Sequence, residues 1–135
     1  MISTRSTFLF VGAVVAALAM MACAAPAGDF TARYSLGAPT AAGESVQITI
    51  SLAVTNNTSS DITNAAIALH DPRAARVTYG SLNGLSLPAG AAIQVSGSFK
   101  VPRGLYESWQ RGSSPAMSVS FNDANGAPVR AFIEF

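Results

Sequence analysis

From Val46 to Thr55 the chain alternates without a break, Val46, Ile48, Ile50, Leu52 and Val54 standing between Gln47, Thr49, Ser51, Ala53 and Thr55. A period of two puts the five branched residues on one face of a strand and the small or polar ones on the other. Such a strand is not stable alone in water; its apolar face needs a second sheet or a helix over it. The polar run from Asn56 to Asp61 interrupts the pattern, which resumes at Ile62. This order predicts a hairpin at the centre of a β domain, with a partner strand over residues 62–70 that turns Ala65, Ile67 and Leu69 inward and stops at Asp71-Pro72.

The same period recurs along the rest of the chain. Phe30, Ala32, Tyr34 and Leu36 alternate with polar residues and end at Gly37-Ala38-Pro39. Residues 76–79 read as a short edge strand. Residues 80–90 are rich in Gly, Ser, Asn and Pro and read as loop, with a small strand at 85–87. Ile93, Val95, Gly97, Phe99 and Val101 alternate up to Pro102. Two last strands, 117–121 and 129–135, flank the turn Asn122-Asp123-Ala124-Asn125-Gly126. No segment keeps a helical period over ten residues. Seven to eight short strands with regular turn signals predict an all-β fold, an immunoglobulin-like antiparallel β-sandwich.

Several of these motifs resemble a known group. The run from Val46 into Asn56-Asn57-Thr58, followed by Ile62-Thr63-Asn64-Ala65-Ala66-Ile67, is similar to the extracytoplasmic immunoglobulin-like and fibronectin-III-like modules of bacterial surface proteins, including the type named for cell adhesion in bacteria. Leu87-Pro88-Ala89-Gly90 before an alternating strand, and the Asp123-Ala124-Asn125-Gly126 turn, resemble the same modules. These are strand and turn motifs, so they speak to a fold rather than an activity. The resemblance implies binding, spacing or adhesion outside the cytoplasm, without catalysis.

The first residues carry a different signal. Arg5 is the only charge before an apolar run over 8–19, and small residues follow at once. A positive start, a short apolar core and an Ala-x-Ala-like site read as a secretory signal peptide over residues 1–27, leaving 28–135 as one domain. The alternative uses the only cysteine: Met20-Met21-Ala22-Cys23 resembles a lipoprotein box, which would give a leader of 1–22 and a lipid on Cys23. Met20 departs from that motif, which usually has Leu there. A membrane anchor at Cys23 is the one route by which this chain is expected to meet a membrane.

Composition narrows the function. The chain has eight basic and seven acidic residues; without Arg5 the two are equal. A neutral chain with one lysine has no electrostatic footprint for nucleic acid. Without Cys23 the mature domain holds no thiol, hence no disulfide. His70 is the only histidine. A Ser-His-Asp triad would have to run through it, and no Gly-x-Ser-x-Gly elbow presents a nucleophile. His70 beside Asp71 has the form of a base with an orienting carboxylate, but a strand-end residue pointing to solvent is the simpler expectation. Zinc needs three or four ligands that the composition does not supply. Asp123-Ala124-Asn125-Gly126 lacks the glutamate that would complete a calcium loop and reads as a hairpin turn. No cofactor, metal or catalytic residue is expected.

Leu105-Tyr106-Glu107-Ser108-Trp109-Gln110-Arg111 is the one stretch that reads as neither strand nor plain loop. Bounded by Arg103-Gly104 and Gly112, it has room for one or two helical turns with Leu105, Tyr106 and Trp109 on one side. One reading is an aromatic platform of Tyr106 and Trp109, rimmed by Arg103 and Arg111, for a glycan or an envelope protein. The other is a plug, with Trp109 closing an open end of the core. The alternating C-terminus ending in Phe135 also resembles the closing strand of an outer-membrane barrel, but the strands are short and aromatics few for that architecture. The expected function is therefore that of an exported, non-catalytic binding, adhesion or structural module of a bacterial envelope, with a carbohydrate-binding module or an accessory subunit of a surface assembly as alternatives.

Overall fold

The computed structural model describes residues 28–135. The expected signal peptide and the candidate lipidation site Cys23 lie outside them. Two antiparallel four-stranded sheets pack face to face, and one short helix closes an end. The strands are β1 (Phe30–Leu36), β2 (Thr40–Ala42), β3 (Ser45–Asn56), β4 (Ile62–His70), β5 (Thr78–Leu87), β6 (Ala92–Pro102), β7 (Ala116–Asn122) and β8 (Pro128–Phe132); the helix, α1 (Arg103–Gln110), lies between β6 and β7.

In the first sheet β3 is central. It pairs with β6 on one side, and with β1 and β2 in succession on the other. The second sheet runs β5-β4-β7-β8. The even-numbered residues of β3 from Val46 to Val54 are all buried, as the alternation predicts, and they face Ala65, Ile67 and Leu69 of β4 and Met117 and Val119 of β7 in one core. The alternation also holds in β1, where Phe30 is buried and Tyr34 and Leu36 pack partly against the core.

The pairing differs from expectation at the centre. β3 and β4 are not a hairpin; they lie in opposite sheets, and residues 57–61 cross between them. A polar run serves a hairpin turn and a crossing equally well, so composition alone does not separate the two. What fixes the crossing is Asn56, the last inward residue of β3 and wholly buried. Its amide donates to the Ser60 carbonyl at 2.9 Å and the Leu87 carbonyl at 2.8 Å, while its oxygen accepts from the N–H and hydroxyl of Thr58.

Within β4, strict alternation would put Ile62 and Ala65 on opposite faces, yet both are buried. A bulge between them, with Asn64 in the left-handed region at φ 55°, takes up the extra residue. The stretch over 80–90 is also corrected: β5 runs unbroken through residues 80–87. Its glycines do not end the strand but bend it, with Gly80 at φ 141° and Gly84 at φ 68°. Each shift in the β4–β5 register marks such an irregularity.

At the other end of the chain, β8 stops at Phe132 rather than continuing to Phe135. The last residues leave the second sheet and meet the first. Glu134 N–H donates to the Phe30 carbonyl at 3.0 Å and Ala32 N–H donates to the Glu134 carbonyl at 2.9 Å, a parallel bridge beside β1. The Asp123 turn is a hairpin as expected. Its carboxylate accepts from the N–H groups of Asn125 and Ala127, so its geometry is complete without an ion.

Ile50 is fully buried and Ser51 only half-buried on the opposite face. Ile50→Ala should destabilise the domain by about 2–5 kcal/mol, the range for deleting a buried aliphatic side chain. Ser51→Ala should change the urea midpoint little. Equal midpoints for the two variants would mean that the register is displaced by one residue.

Candidate functional site

The segment singled out for binding is α1 and its flanks. The helix follows Pro102, whose extended backbone (φ −57°, ψ 142°) ends β6. Leu105 and Trp109, one turn apart, share its inner face, and Trp109 is only 4 % exposed and part of the core. The C-terminal end is closed by the main chain. Arg111 N–H donates to the carbonyls of Glu107 and Ser108, and Ser113 N–H donates to Ser108. Thus α1 seals the end of the sandwich where the chain passes from one sheet to the other, the position of a plug.

The four candidate residues do not converge. Tyr106 is half-buried on one flank of α1, its hydroxyl accepting from Gln110 Nε2 at 3.0 Å. With Arg103, Pro39 and Val46 it lines a depression of about 300 Å³. The Arg103 guanidinium is held by the Gly43 carbonyl at 3.0 Å. Trp109 and Arg111 lie on the other flank, in an open cleft of about 640 Å³ between α1 and the loop after β4. Tyr106 and Trp109 therefore present no common face.

That second cleft adds Arg73, which the sequence did not single out, and gives Asp71 a place other than beside His70 as an orienting carboxylate. Asp71 and Arg73 form one wall; Leu105, Ser108 and Arg111 form the other. Asp71 organises its wall through local hydrogen bonds. Its Oδ1 accepts from Arg73 N–H at 2.8 Å and its Oδ2 from the Tyr79 hydroxyl at 2.6 Å. The Tyr79 hydroxyl, with the Arg73 N–H after it, holds the Asp71 carboxyl below its ordinary value. In return, that same bond to Asp71, aided by burial, pushes the Tyr79 hydroxyl up to about 12. The sequence carried one signal for this wall, Asp71 followed by Pro72 and Arg73, a side chain placed to close a turn on the N–H two residues ahead.

His70 differs from expectation. It does lie on the outer face of the second sheet, since Leu69 beside it faces the core, but it is only 2 % exposed. The loop over residues 71–77 folds back over it. Nδ1 is 2.7 Å from the Ala75 carbonyl and Nε2 is 2.6 Å from Ser118 Oγ, itself fully buried. A carbonyl can only accept, so Nδ1 carries the proton and, in the neutral ring, Nε2 accepts from the serine hydroxyl. The Phe132 ring packs against the imidazole at 5.5 Å between centroids. A Ser-His pair is present, but neither member is open to a substrate. No group of three or more metal-ligating side chains occurs among the described residues.

Comparison with family models, curated proteins and solved structures finds no match for this chain.

If Trp109 is a plug, Trp109→Ala should destabilise the domain by about 3–5 kcal/mol. Its emission should be blue-shifted and poorly quenched by iodide; red-shifted, freely quenched emission with unchanged stability in the variant would contradict this role. The Asp71–Tyr79 pair should leave two marks on pH dependence. Asp71, with its folded value depressed, contributes stability that is present above the ordinary carboxylate range and lost on acidification. Tyr79, with its folded value raised, contributes stability that is full below pH 10 and lost as pH rises towards about 12. Tyr79→Phe should flatten the alkaline loss and weaken the acid one, as read from thermal midpoints across pH.

Proposed function

We propose that residues 28–135 form an exported, non-catalytic immunoglobulin-like module that binds an envelope protein or glycan through the α1 end of the sandwich. The observation that carries the non-catalytic part is the state of His70. The only imidazole in the chain has both nitrogens engaged and is shielded by the 71–77 loop and Phe132. A general base must reach the proton that it takes, and this one reaches only Ser118 and a carbonyl.

The strand order supports the immunoglobulin-like reading. β1-β3-β6 against β5-β4-β7-β8 corresponds to strands A-B-E facing C′-C-F-G, with α1 in the E–F crossing and the parallel bridge at Glu134 joining the last strand to the first. Export is supported by the charge and hydropathy of the first residues and by a mature domain without thiols. For binding, the cleft between α1 and the 71–73 wall offers apolar Leu105 and Trp109 edges beside Asp71, Arg73 and Arg111, the mixture that a polar partner with an apolar anchor requires. Trp109's burial disfavours a two-ring sugar platform.

Intact mass and fractionation test the first half: the native protein should begin at Cys23, Ala25 or Gly28 and be found outside the cytoplasm, and an uncleaved Met1 would refute export. Cross-linked capture from intact envelopes tests the second. The captured species should be lost with Arg111→Ala or Arg73→Ala and kept with Ser51→Ala; equal capture by all three would remove the cleft from consideration.

A further inference from the structure

Each sheet ends in a free strand on the same side of the sandwich, β5 in one and β6 in the other, and the two are built differently. β5 is bent at Gly80 and Gly84, and its ladder with β4 shifts register at three places. Such irregularities spoil an edge as a template for a further strand. β6 has none of them. Its eleven residues pair with β3 in one unbroken register, and among the described residues it pairs with nothing on its other side.

The direction of its backbone groups follows from the bonds that flank the ladder. Asn56 N–H donates to the Ala91 carbonyl, and Arg103 N–H donates to the Glu44 carbonyl. Antiparallel pairs alternate, so the odd-numbered residues of β6 bond to β3. The N–H and carbonyl groups of Ala92, Gln94, Ser96, Ser98 and Lys100 therefore point away from the sheet. All five residues are exposed. The inward side chains along this edge, Ile93 and Val95, are only half-buried and form a lateral apolar seam with Leu82 and Leu85 of β5. At the middle of β6, a Cβ on Gly97 would run into Leu82, so this residue keeps the seam low.

We propose that the β6 edge is a self-pairing surface, and that its partner is β6 of a second copy running antiparallel across a two-fold axis near Ser96 and Gly97. The charge pattern suits a second copy. Lys100 is the only charged residue of the strand, and a two-fold at Ser96 or Gly97 sets it opposite Ala92 or Gln94 of the other copy, never opposite another lysine. Outward-pointing even residues then meet even residues, the requirement for hydrogen-bonded pairs. The half-exposed Ile93 and Val95 of one copy then lie beside residues 97–101 of the other, on the same face of the continued sheet. An isologous contact of this kind closes on itself and continues the first sheet through both copies.

Sedimentation across a concentration series should find a reversible dimer. Hydrogen exchange should find the amides of Gln94, Ser96 and Ser98 protected in proportion to dimer, while those of Val95, Gly97 and Phe99 are protected at all concentrations. Ser96→Pro removes an outward donor without touching the β3 ladder, and Ser96→Lys places like charges across the axis. Either should weaken the dimer at least about tenfold, with far-UV dichroism and the dilute-solution melting midpoint preserved in the lysine variant. A protein that stays monomeric throughout, or a dimer whose even-numbered amides exchange freely, or one indifferent to Ser96→Lys, would overturn the proposal.

Discussion

The inward row of β3 ends not in an aliphatic side chain but in the amide of Asn56, and the way the sheets are joined depends on it. Five branched residues bring the two sheets together, but burial has no direction and would accept several arrangements of the strands. The Asn56 amide is directional. By bonding Ser60, Leu87 and Thr58 at once it ties the β3–β4 crossing to the end of β5, and so decides that β4 leaves for the opposite sheet. An unpartnered amide at that depth would cost on the order of 1–3 kcal/mol for each lost partner, comparable to a large buried side chain. Among the described residues every buried side-chain nitrogen and oxygen has a partner. The polar groups thus act as selectors among packings that the apolar ones leave open.

Which residues face the core was legible because facing is a local property with a period of two. Val46 to Val54, Ala65, Ile67, Leu69, Phe99 and Val101 all lie where alternation puts them. Which strand neighbours which was not, because pairing depends on residues far apart in sequence. The β3–β4 hairpin was the nearest explanation for two strands joined by five polar residues, and it is wrong because Asn56 turns inward to meet Leu87, thirty-one residues on. β5 was hidden for a different reason. Its outward positions are Gly, Ser and Asn because it is a bent edge strand, and the same residues spell loop when the chain is read without a partner. The three-residue β2 gave no periodic signal at all.

The candidate site was legible in the same partial way. An i, i+4 pair before Gly112 indicated helical turns and offered an inward Trp109 as one of two readings, but the expected boundary at Arg103-Gly104 is wrong, since α1 begins at Arg103 and takes Gly104 into its first turn. The separation of Tyr106 from Trp109 depends on where α1 sits over the sandwich end, which no spacing reports. Asp71 and Tyr79 are eight residues apart with a loop between, and only the fold places hydroxyl and carboxylate at 2.6 Å. His70 shows the limit of facing as a guide. Its outward register was readable, but the strap of residues 71–77 and the Phe132 ring bury it on a face normally left to water.

The two lateral sides of the sandwich are unequal in a way that bears on how it behaves as a module. One is closed by main-chain hydrogen bonds, since the Glu134 bridge ties the end of the chain to its first strand. Opening that side breaks directional bonds and releases Ile133 from the core. The other is joined at one end by the short 88–91 connection and along its length by side chains, Leu82 over Gly97 and the half-buried Leu85, Ile93 and Val95. Contacts of that kind separate gradually, without the all-or-none loss of a ladder. Local opening should therefore favour the β5–β6 side, while the strands next to the terminus remain joined. The asymmetry also separates the two edges. It leaves the long regular edge of β6 on the side where new pairing costs the core least.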